Sequence, residues 1–194
     1  MAQHFIGTFT LAALCMTLAG RAHATEALSP SRAPSAERGW SADVELDPIA
    51  YAAGGYSLHV GLGRGRLRFD LGAFAANIPE WLHQNEGFDT RADGFGVKLD
   101  VFLKEDWRGP FAGLEAGLLG TTLRSPDGLH DFDERLQLGA RVGWRIPIAA
   151  GFYATPWVGL DYAIGAGDRS VGDVVYEESP WVLFPTLHVG YQTR

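Results

Sequence analysis

The sequence predicts an all-β fold: eight antiparallel strands closed into an up-and-down transmembrane β-barrel. Three observations carry that prediction. From Trp40 to the C-terminus, eight segments alternate apolar residues with others at the two-residue period of a strand. In each segment the apolar parity is free of charge, and the opposite parity collects ionic residues and glycine. The connections alternate in length, tight at one end and long and polar at the other, as in barrels that cross a membrane. Closure is a physical requirement, because an open sheet edge in hydrocarbon leaves backbone N–H and C=O groups without partners. A soluble lipocalin-like barrel is the rival, and it would place the apolar residues inside and the charges outside.

Composition narrows the function classes. The 194 residues are 46% hydrophobic and 20% charged, with 25 Gly, one Cys and a net charge of −7. That length fits one domain. No apolar run after residue 24 reaches the roughly 18 residues of a spanning helix. One cysteine allows neither a disulfide framework nor a thiolate metal cluster. The acidic balance argues against nucleic acid as a partner.

Residues 5–20, FIGTFTLAALCMTLAG, are uncharged and mostly apolar and run into Ala22-His23-Ala24, a small-x-small cleavage pattern. Residues 1–24 read as a signal peptide that carries Cys15 away with it. Residues 25–38, rich in Ser, Ala and Pro, read as a disordered leader, and residues 39–194 as the barrel.

Sorting by parity gives each strand an inside and an outside. The first segment turns Val44 and Leu46 outward and Asp43, Glu45 and Asp47 inward; the second turns Leu58 and Val60 outward and Ser57 and His59 inward. Leu67, Phe69 and Leu71 oppose Arg66, Arg68 and Asp70 in the third, and Val97, Leu99 and Val101 oppose Lys98 and Asp100 in the fourth. Glu115, then Gln137, Arg141 and Arg145, then Asp161, then His188 are the inward polar residues of the last four, set against Leu114, Val142, Leu160 and Val189. Tight turns fall at 63–65, 104–110 and 147–151. Long loops fall at 76–92, 123–135 and 165–180, and a shorter one runs from Asp47 to Gly55. Trp40, Trp107, Phe111, Trp144, Phe152 and Tyr191 collect toward the turns, and Tyr51, Tyr56, Phe95, Tyr162 and Trp181 toward the loops, as interfacial girdles do.

The eight segments, the glycine-interleaved stretches GFGVKLDVFL, GPFAGLEAGLLG, LQLGARVGW and YATPWVGLDYAIG, and the closing LHVGY resemble small OmpA-like or OmpX-like outer-membrane β-barrel proteins. The resemblance is one of pattern over about residues 39–191. It implies the outer membrane of a Gram-negative bacterium, with both termini in the periplasm. It also implies contact with outer-membrane lipid and lipopolysaccharide, and insertion by the barrel-assembly machinery. Such proteins usually end on an aromatic residue, whereas here Tyr191 is followed by Gln192-Thr193-Arg194.

An eight-stranded barrel is just wide enough for side chains to fill, so the interior should be a salt-bridged plug. Arg141 and Arg145 are expected between Glu115 and Asp161, and Arg66, Arg68 and Asp70 against Lys98 and Asp100. The leading functional reading is a structural or surface-interaction role without catalysis, with no cofactor and no metal. One alternative is a lipid-modifying enzyme, an acyl hydrolase or acyltransferase, in which His188 and His59 work with Asp43 or Glu45 at the seam where the barrel closes; no G-x-S-x-G or H-E-x-x-H motif accompanies them. The other alternative is a narrow small-solute pore. Pro156 and Pro185 should fall where a ladder is interrupted, at a bulge, a strand end or a lateral gap. The three long loops hold eleven acids against four bases. They invite a divalent cation or an extracellular ligand, or form a solvated acidic rim. DGLHDFDE (127–134) lacks EF-hand spacing. Trp81, Leu82, Phe88, Phe132, Val174, Val175 and Tyr176 are apolar for loop residues, which suggests loops packing on one another or on a ligand.

Overall fold

A computed structural model describes residues 39–193; the signal-peptide and leader segments lie outside the described residues. Ten strands and two short helices form in the order β1 (Ser41–Leu46), α1 (Pro48–Ala52), β2 (Tyr56–Arg64), β3 (Leu67–Ile78), α2 (Glu80–His83), β4 (Asp89–Phe102), β5 (Gly109–Arg124), β6 (His130–Ala149), β7 (Phe152–Ala163), β8 (Arg169–Val171), β9 (Val174–Tyr176) and β10 (Trp181–Thr193). Eight of the strands close a barrel in the cyclic order β1-β10-β7-β6-β5-β4-β3-β2, and β8 and β9 pair as a separate hairpin. Every barrel pair is antiparallel.

The alternation sorts the faces. Leu99, Val142 and Leu160 lie outward, 46%, 55% and 47% exposed to what is hydrocarbon around a membrane barrel, while Lys98 and Arg141 are buried inside. Arg66 departs from its expected place. The β2–β3 turn is Gly65-Arg66, one residue later than the sequence suggests, and puts the Arg66 side chain in solvent. Trp107 and Phe111 also depart from the expected girdle. They turn inward with Phe102 and Trp157 to cap the turn end of the lumen, and the Trp107 indole N–H donates to Gly65 O at 2.9 Å.

Much of the expected loop chain is strand. β5 and β6 continue pairing to Arg124 and His130, and β3 and β4 to Ile78 and Thr90, because a ladder satisfies its own backbone beyond the bilayer as well as within it. At the turn end, β6 runs to Ala149 with a register shift at Pro147/Ala149. Ala150 and Gly151, at φ +49° and +89°, then close the two-residue turn into β7.

β1 is only six residues long and pairs with β10 from Val189 onward and with β2 from His59 onward. Above it, where no strand lies between β10 and β2, α1 packs against β10, β2 and β3. A helix serves there because it hydrogen-bonds its own backbone. Asp47 caps it, with Oδ1 accepting from Ile49 N–H at 2.8 Å, Oδ2 accepts from the Thr186 hydroxyl at 2.6 Å, and the Tyr51 hydroxyl donates to Ser57 O at 3.1 Å. The two prolines fit this wall. Pro185 pairs with Val158 on one side and has no β1 residue opposite it on the other. Pro156 sits where the β6–β7 ladder breaks between Gly143↔Trp157 and Ile146↔Ala154.

Candidate functional site

The lumen holds an ionic plug built from four carboxylates and four cations. Arg68 on β3 is its hub: Nε and Nη2 donate to Asp43 at 2.8 and 2.6 Å, and the same guanidinium reaches Glu45 at 3.1 Å, Asp70 at 2.8 Å and Asp100 at 3.1 Å. Arg141 donates two bonds to Asp100, at 2.9 and 2.6 Å. Arg145 crosses the lumen to Asp43 at 3.0 Å and Glu45 at 2.9 Å. Lys98 Nζ stands 3.8 Å from Asp70. All eight side chains are buried, so each charge depends on its partners in place of water.

The partners are chosen by glycine. Asp100, Gly113 and Arg141 share one rung of β4, β5 and β6, and a Cβ at Gly113 would fall 2.3 Å from Asp100 Oδ1. Arg68 likewise reaches Asp43 over Gly61, where a Cβ would lie 2.3 Å from the carboxylate and 2.5 Å from Arg68 Nε. The charges thus pair across a strand that lacks a side chain. This corrects the expected set. Arg141 binds Asp100 and not Glu115 or Asp161, and Arg145 binds the β1 acids. Glu115 and Asp161 flank Gly139 on another rung, and Glu115 Oε1 and Asp161 Oδ1 are buried without a protein hydrogen bond.

His59 and His188 come together, as do the β1 acids. Their rings lie 4.7 Å apart, His59 Nδ1 is 3.0 Å from Asp70 Oδ1, and His188 Nδ1 is 3.1 Å from Glu45 Oε2. The carboxylate contacts assign the Nδ1 proton in each ring, donating to the acid. Lys98 Nζ is 3.4 Å from His59 Nδ1. Both imidazoles are enclosed, at 4% and 2% exposure, with Trp157 edge-on to His188. Ser57 is buried, and its hydroxyl has no protein partner. Among the described residues no three His, Cys, Asp or Glu side chains converge as metal ligands.

Aromatic faces seal the turn end of the plug. The Arg145 guanidinium lies 4.0 Å from the Tyr153 ring centre and 5.1 Å from that of Phe102, and Arg141 and Lys98 both lie 4.9 Å from that of Trp157. The pattern reading misses Tyr153 and Trp157. They stand on the inward parity of a segment whose charges dominate that reading, and the parity is the available signal.

At the loop end a second core forms. Phe88, Leu123, Val171 and Tyr176 are buried together with Val174 packed on them, whereas Trp81, Leu82, Phe132 and Val175 stay exposed. Asn85 ties the loop of α2 to β9: its amide donates to His83 O at 2.8 Å and to Glu177 O at 3.0 Å and accepts from Glu177 N–H at 2.7 Å. Arg135 pairs with Asp133 and, at 2.5 Å, with Glu178, and Arg169 lies 3.3 Å from Asp131. The expected acidic rim is therefore partly neutralised by its own arginines.

An apolar outer wall around an ionic, filled lumen defines a β-barrel that spans a bilayer. Its fold is shared with solved outer-membrane barrels. Neisserial surface protein A (NspA) has 13% identity to this chain at a TM-score of 0.50, the match covering 79% of this chain and 94% of that one. A major outer membrane protein from Thermus thermophilus has 15% identity at 0.55, covering 80% and 100%. The chain matches no protein-family model and no curated protein.

Proposed function

We propose that this chain is an outer-membrane protein of a Gram-negative bacterium whose barrel is closed to solutes and serves to hold structured loops at the cell surface, without catalysis. On this reading it is inserted by the barrel-assembly machinery and its upper wall contacts lipopolysaccharide. The observation that carries the proposal is the Arg68 hub. One guanidinium bound by four carboxylates, with Arg145 and Arg141 extending the set across the lumen, matches cations to carboxylates within the plug and leaves none of its eight side chains exposed to exchange with a hydrated ion. The burial of His59 and His188 against plug acids supports orientation of those acids, in place of general-base work on a lipid.

Planar-bilayer recording of the folded protein tests the proposal, with no steady conductance expected. A steady open level would overturn the closed-lumen reading in favour of a narrow pore. Incubation with lipopolysaccharide and phospholipid should leave every acyl chain in place. An acyl change that disappears in His188→Ala would establish the lipid-modifying alternative.

A further inference from the structure

Trp81 is 75% exposed, more than any other large apolar side chain among the described residues, yet it stands on a fixed platform. The His83 ring lies 5.6 Å from that of Tyr176, Asn85 is bonded to the backbone of Glu177 just after β9, and Phe88 is locked in the loop-end core. A solvent-facing indole carried on an anchored loop points to recognition. Beside it is an open concavity of about 590 Å³ lined by Glu80, Trp81, Gln84 and Glu86.

The charge around the indole is left over from the loop ion pairs. Asp131, Asp133 and Glu178 are engaged by Arg135 and Arg169, but among the described residues neither Glu80 nor Glu86 pairs with a lysine or arginine. The titratable neighbour of Glu80 is His83, and burial lowers the pKa of that imidazole, which favours its neutral form.

We propose that Trp81, Glu80, Gln84 and Glu86 form a recognition notch for an arginine or lysine side chain of a basic polypeptide. The proposal deepens the surface-interaction reading above and rests on it. An indole face attracts a guanidinium or ammonium through its quadrupole, the two carboxylates supply the counter-charge, and the Gln84 amide oxygen accepts a further N–H. The excess of acids over bases in the long loops steers a cationic chain toward this end of the barrel. A divalent metal fits poorly, because an indole offers it no ligand.

The test is fluorescence anisotropy of a labelled oligo-arginine peptide against the full protein folded in detergent micelles at physiological ionic strength. Trp81→Ala and the double variant Glu80→Gln/Glu86→Gln should each weaken binding about tenfold. Trp81→Phe should keep it within about threefold, and Asp173→Asn, at the β8–β9 turn, should leave it unchanged. No binding by the unaltered protein, or equal binding by Trp81→Ala, overturns the notch; the second result would reduce it to diffuse rim charge. Free arginine amide binding as tightly as the peptide would overturn the polypeptide partner. Heat-modifiable gel mobility and bilayer recording on the same preparations separate these failures from failure of the closed-barrel reading.

Discussion

Arg68 and Asp43 meet across β2, 25 residues apart in the chain, through a two-pronged contact at 2.8 and 2.6 Å that Gly61 between them leaves room for. Neither side chain retains appreciable contact with solvent. Replacing Arg68 with Met keeps bulk but takes one cationic partner from each of four carboxylates, which keep Arg145, Arg141 or Lys98, and breaking a buried pair costs about 3–5 kcal/mol. The urea midpoint of Arg68→Met, followed by heat-modifiable mobility, should fall accordingly. Asp43→Asn should fall less, because Arg68 retains three other acids.

Gly113 makes the rung argument testable away from any charge change. Gly113→Ala would drive a methyl to 2.3 Å from Asp100 Oδ1 and 2.8 Å from Leu99 O, which overpacks the lumen by about 1–3 kcal/mol. Gly128→Ala is no useful control because of its positive φ, so Ala112→Gly on the lipid side serves. An unfolding midpoint for Gly113→Ala equal to wild type would refute the idea that bare rungs select the ion-pair partners.

Asp47 joins α1 to the strand wall. Asp47→Ala removes both the cap and the acceptor for Thr186 and should cost about 2 kcal/mol, whereas Thr186→Val should cost about half as much. In a double-mutant cycle the two losses should be less than additive. Full additivity would mean that the 2.6 Å contact contributes nothing to closing the wall.

His83 gives the loop end its pH dependence. Its folded value lies below the unfolded one because burial disfavours the imidazolium, so the open loop takes up a proton more readily than the packed one. Anchoring of α2 should be level above about pH 6.5 and weaken progressively as pH falls below that value. Proteolysis of the 79–88 loop should therefore accelerate at acid pH relative to His83→Gln at the same pH. Equal acceleration in both would remove His83 from the account.

The period-two signal makes the barrel legible because faces alternate along strands such as β4, where Leu99 and Lys98 must part company. It also names all eight side chains of the plug. What it cannot supply is partnership. Adjacent-strand reasoning gives Arg141 to Glu115 or Asp161, since a linear pattern does not say that Gly113 leaves a rung bare for a longer reach. Arg66 lies one turn residue away from its expected place, enough to carry a side chain from lumen to solvent. The Asn85 brace is invisible for a different reason. Its partner at Glu177 is 92 residues away and contributes only backbone.

The short first strand has a mechanical corollary. Elsewhere around the cylinder, parting two neighbours means unzipping a run of shared amide bonds, an event that resists starting. Where α1 stands in for strand, the bonds are internal to the helix, and the seam is fastened by separate clasps such as Thr186 to Asp47 and Tyr51 to Ser57. When this tube breathes, it should do so there, one clasp at a time, with the rest of the hoop intact.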